Sequence, residues 1–98
     1  MRAAGVAVAA VCLFAFAQGT GAAAPAPPGA ASCSSCHPTS AKVQTPVPRL
    51  IGRKPVDIVA AMLAFRSGQK PATVMDRIAK GFSEAEIRAI ADWLGAQQ

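Results

Sequence analysis

The feature that most constrains this chain is the run Cys33-Ser34-Ser35-Cys36-His37. Its C-x-x-C-H spacing is the attachment signature of haem c. Within a single helical turn it presents two thiols to the two vinyl groups of one haem, and the adjoining imidazole reaches the iron from the same side. A fold built on such a run must wrap a flat apolar disc. The rival uses of these residues are poorly supplied. A structural zinc ion wants four ligands, and the chain has a single histidine and no second C-x-x-C. Thiol oxidoreductase motifs sit on βαβ scaffolds, and no strand pattern is visible. A disulfide between Cys33 and Cys36 would close too small a loop to stabilise much.

The segment before this run has a different character. Arg2 gives a basic start, and Gly5 to Ala17 is an uncharged apolar run. Its length suits the core of an export signal and falls short of the ~20 apolar residues that span a bilayer. Residues 1–24 are therefore expected to be a signal peptide, cleaved after Ala17 or after Ala24, which places the product in the periplasm with no stable membrane anchor. Cys12 follows bulky Val11, an unfavourable setting for lipidation. Residues 25–31, rich in proline and alanine, read as a linker, and 32–98 as one monohaem domain.

What remains is on the order of 75 residues, a size at which a core struggles to outweigh chain entropy. The composition, 52% apolar over the whole chain, is inflated by the leader. Something other than protein is expected to fill the centre. Ten basic residues, Arg2 among them, face five acidic ones. That excess attracts anionic partners, but without a dense basic run in an exported chain it does not point to nucleic acid.

The periodicity is helical throughout. The cysteine cluster, Ser32 to Ser40, is expected to make one or two helical turns, and Thr45 to Gly52, with two prolines, an extended loop. Pro55 fits the first position of a helix, with Asp57 in its first turn. Ile58, Val59, Met62, Leu63 and Phe65 give this helix an apolar face, and Gly68 stops it. A short helix is expected around Asp76 to Lys80. Ser83-Glu84-Ala85-Glu86 is a capping box opening a last helix lined by Ile87, Ile90 and Leu94, with Trp93 alongside. The fold class is all-α.

Methionine is a common partner of histidine on haem iron, and the pairing raises the reduction potential. Met62 lies in helical register for core packing. Met75 stands in the irregular stretch before the last helix, where a side chain can be aimed across the haem, and is assigned as the sixth ligand. The loop Pro46 to Gly52 is a candidate proximal wall, since a constrained proline carbonyl suits the free N–H of a ligating histidine.

Together these elements resemble class I c-type cytochromes, specifically the small cytochrome c553-like group that includes the cytochrome subunit of flavocytochrome c sulfide dehydrogenase. The resemblance rests on C-x-x-C-H, on P-x-L-x-G at Pro48 to Gly52, and on the run AFRSGQKPATVMDRIAKGFSEAEI with its terminal helix. It implies a small cytochrome c fold around one covalent haem, thioether links at Cys33 and Cys36, and iron ligation by His37 and Met75. It also implies that the Pro48 carbonyl accepts from the His37 ring and that Leu50 packs on the haem. Pro38 and Arg53 depart from the group's usual glycine and glutamine, and its N-terminal helix is expected to be shortened. The implied role is single-electron transfer without catalysis, as the haem subunit of, or partner to, a periplasmic dehydrogenase, a sulfide-oxidising flavoprotein being the specific suggestion. Lys42, Arg49, Arg53, Lys54, Arg66 and Lys70 are candidates to ring the haem edge and steer an acidic partner. The alternatives are a free carrier serving a terminal oxidase or reductase, and a ligand sensor or enzyme with an open sixth position.

Overall fold

The computed structural model describes Gly5 and residues 24–98. The expected export signal, apart from Gly5 and Ala24, lies outside the described residues, as do Cys12 and the cleavage point after Ala17. Four helices follow in order: α1 (Ala30–Cys33), α2 (Pro55–Arg66), α3 (Met75–Ala79) and α4 (Glu84–Ala96). No strand occurs among the described residues, so the all-α expectation holds.

Local chemistry explains the boundaries. α2 starts where Lys54 is extended and Pro55 supplies a pre-set φ at N1. It ends where Gly68 turns into the left-handed region at φ 78°. The Lys70 N–H then reaches back to the Ala64 carbonyl at 3.1 Å, and its ammonium lies 5.2 Å from the centroid of the Phe65 ring. α4 opens with both halves of the capping box in place. The Glu86 N–H donates to Ser83 Oγ at 3.2 Å, and the Ser83 N–H donates to Glu86 Oε2 at 2.7 Å.

The core lies where α2 and α4 cross. It comprises Ala30, Ile58, Val59, Ile87, Ile90, Ala91 and Leu94. α1 begins at Ala30, inside the stretch expected to be linker, because Gly29 takes φ 87° and lets the chain turn onto α4. A Cβ at Gly29 would stand 2.5 Å from Phe82 Cε1, and Ala30 behind it is fully buried. The first helix is thus short, as expected.

The apolar face of α2 is less completely covered than its pattern implies. Ile58 and Val59 are buried, but Met62, Leu63 and Phe65 are half-buried and Val56 is 68% exposed. Ile87 is the largest side chain with essentially no exposure. The protein's own atoms make a thin core.

Candidate haem site

Cys33 closes α1, and the chain continues through a turn rather than unwinding. The Cys33 carbonyl accepts from the N–H of Cys36 at 3.3 Å and of His37 at 2.9 Å. That pair of bonds keeps both cysteines and the histidine on one coil of backbone. Both thiols are free. Burial pushes the Cys33 thiol above its ordinary pKa, and a backbone hydrogen bond opposes this in part, while Cys36 is exposed.

The His37 ring is held by a contact from eleven residues further along. Its Nδ1 lies 2.6 Å from the Pro48 carbonyl oxygen. A carbonyl only accepts, so the contact requires the proton on Nδ1 and leaves the Nε2 lone pair for a metal. The expected acceptor role of Pro48 has this geometry. The loop that carries it is docked on α4: the Gly52 N–H donates to the Leu94 carbonyl at 3.1 Å, with Gly52 at φ 78°. Cys33, Ser34, His37, Pro38, Thr39, Leu50, Ile51 and Leu94 line one cleft.

The expected site residues therefore fall into two groups. Cys33, His37 and Leu50 meet in the cleft, Cys36 is exposed on the same turn outside its lining, and Pro48 touches His37 from behind. Met75 stands apart, half-buried at the first position of α3, an element packed against α2. Met62 packs against the core cluster, the role its register implied. Sequence reasoning missed Ile51 and Leu94 as cleft walls. Both are apolar positions beside recognised motifs, but only the approach of loop to helix makes them a wall. Arg49, expected among the steering charges, donates from Nε to the Thr39 carbonyl at 2.9 Å. The other five basic candidates are exposed, and the ion pair found among the described residues is Arg88 with Glu84.

The donor set fits haem c. Free thiols at the right spacing, an imidazole with its outer nitrogen fixed, and an apolar wall of Leu50, Ile51 and Leu94 are what such a group needs. No cluster of three or more histidine, cysteine or carboxylate groups that could hold a metal ion occurs among the described residues. No described helix is long and apolar enough to cross a membrane.

Known proteins with similar sequences point the same way. The cytochrome subunit of sulfide dehydrogenase from Chlorobaculum tepidum is 38% identical over 64 residues, covering 65% of this chain and 58% of that protein. Cytochrome c-552 from Acidithiobacillus ferridurans is 29% identical over 65 residues, covering 66% of this chain and 28% of that protein. The chain thus spans under two thirds of either relative. No protein-family profile matches it. Attachment sequence, helical fold and these two similarities agree: the chain is similar to c-type cytochromes, and to the sulfide dehydrogenase subunit in particular.

Proposed function

We propose that this protein is a periplasmic single-electron carrier with one covalent haem c, ligated by His37 and Met75, and that it serves as the haem subunit of, or partner to, a dehydrogenase. The observation that carries the reading is the 2.6 Å contact between His37 Nδ1 and the Pro48 carbonyl, immediately after a pair of free thiols. Bound haem c supplies a ferric/ferrous couple that accepts and releases one electron.

The chain's own residues would do the rest. Cys33 and Cys36 tether the cofactor, which suits an exported protein because a tethered group is not lost by dilution. His37 offers Nε2 while Pro48 holds the proton on Nδ1, which fixes ring orientation and raises ligand basicity. Met75 offers a neutral thioether, a soft donor that favours the ferrous state and raises the potential. Leu50, Ile51 and Leu94 keep water off one side. Lys42, Arg53, Lys54, Arg66 and Lys70 present uncompensated positive charge to an acidic partner. The printed name of the first relative, a sulfide dehydrogenase subunit, makes a sulfide-oxidising flavoprotein the partner to seek.

The test is production where haem attachment operates, followed by mass and absorption spectra of the wild type and of Met75→Ala. The wild type should carry the mass of one haem and show the weak near-infrared sulfur-to-iron band. Met75→Ala should lose that band and shift to a lower potential. A colourless chain of bare mass would sink the haem reading, and an unchanged band in Met75→Ala would sink the ligand assignment. Purification from native periplasm with a flavoprotein supports the subunit role; a lone red monomer favours a free carrier.

A further inference from the structure

We infer that Arg49 is a positioning residue for the His37 ligand: its guanidinium closes the base of the loop that delivers the Pro48 carbonyl. The inference rests on the haem reading above and concerns how the imidazole is tuned.

The loop between His37 and Pro48 has little to hold it. Within it the Lys42 N–H donates to Ser40 Oγ, the Val47 N–H to Thr45 Oγ1 and the Val43 N–H to the Ser40 carbonyl, all at 3.2–3.3 Å and all local. Residues 39–46 are exposed. Nor can the two ends pair as a ladder in the usual way, since Pro38 and Pro48 have no N–H to give. Two contacts join the ends of this loop among the described residues: His37 Nδ1 to the Pro48 carbonyl at 2.6 Å and Arg49 Nε to the Thr39 carbonyl at 2.9 Å. They are offset by only a residue or two, so they form adjacent rungs across the loop base. A side-chain donor thus supplies the rung that two prolines deny the backbone.

The consequence follows from which group each rung holds. Arg49 adjoins Pro48 in the chain, so anchoring Arg49 to Thr39 restricts rotation of the peptide that presents the Pro48 carbonyl. Without it, that carbonyl is held from one side only, by the Gly52–Leu94 bond further along. The Nδ1–H bond to His37 would then open more often, and the imidazole would become a weaker donor.

The sign of the effect separates this role from a plain charge effect. A weaker imidazole donor disfavours ferric iron and raises the potential. Loss of a nearby positive charge stabilises ferric iron and lowers it. The experiment follows solvent exchange of the His37 ring N–H by nitrogen-edited NMR on the ferrous holoprotein, with the potential, for wild type, Arg49→Met and Arg49→Lys. Arg49→Met should exchange about tenfold faster, as expected when a restraining hydrogen bond is lost, and the weakened donor should outweigh the lost, solvent-screened charge to shift the potential upward. Arg49→Lys keeps the charge and a donor and should fall between the two; it also serves as the milder variant if Arg49→Met accumulates poorly. Wild-type exchange in a red Arg49→Met protein, or a lowered potential with unchanged exchange, overturns the positioning role. Absence of covalent haem in the wild type overturns instead the reading on which it rests.

Discussion

At the residue scale, two glycines decide how closely the pieces of this site approach. Gly52 has φ 78°, a backbone that L side chains adopt only with strain, and it is the residue whose N–H ties the proximal loop to Leu94. Gly95, one step further along α4, meets the other end of that loop. A Cβ there would stand 2.7 Å from Pro55 Cγ, 2.8 Å from the Arg53 carbonyl oxygen and 2.9 Å from Pro55 Cδ. A proline ring and a backbone carbonyl cannot swing aside, so α4 would have to move. Gly95→Ala gains helix propensity of about 1 kcal/mol but overpacks this junction. The net expectation is a loss of about 1–2 kcal/mol, read as a lower urea midpoint of the holoprotein; a stabilised variant would show that the junction yields.

At the element scale, the helices were legible to the extent that their ends carry chemistry. Pro55, Gly68 and the Ser83–Glu86 box stand where the sequence reading expected them. α3 runs Met75–Ala79 rather than from Asp76 to Lys80, a one-residue shift that puts the expected ligand at the helix start. α1 was less legible, because it begins on a left-handed glycine and a buried alanine inside a proline-rich stretch. Composition there signals an extended chain, whereas packing against Phe82 and Ile90 bends it into the core. The capping box offers a clean measurement. Ser83→Ala should cost about 1 kcal/mol with no change in denaturant slope, because the N–H of Glu86 loses its acceptor. A loss near zero would mean that water replaces the hydroxyl at no cost. The Arg88–Glu84 pair, with both side chains more than half exposed, adds at most a few tenths of a kcal/mol.

At the scale of the whole molecule, the balance between core and chain is the governing quantity. The buried cluster is made largely of alanines and of aliphatic side chains from α2 and α4. Half-buried Leu50, Met62, Leu63, Phe82 and Trp93 surround it. Domains of this size are marginal unless a cofactor or covalent staple supplies further burial. Replacing both Cys33 and Cys36 by alanine should therefore leave a colourless chain without a cooperative unfolding transition by circular dichroism. A sharp haem-free transition would show that the protein core alone suffices.

Short-range patterns marked the candidate attachment residues, the helical class and most helix ends, because each depends on residues within a turn or two of one another. The resemblance further implied that the Pro48 carbonyl accepts from the His37 ring and that Leu50 packs on the haem. Folding supplied the geometry of the His37–Pro48 contact, and nothing short of it fixed that Arg49 spans to Thr39 or that Leu94 and Gly95 receive the proximal loop. Those contacts join segments ten or more residues apart. Periodicity states which face of a helix is apolar, but the path of an irregular, proline-rich loop is set by what it packs against.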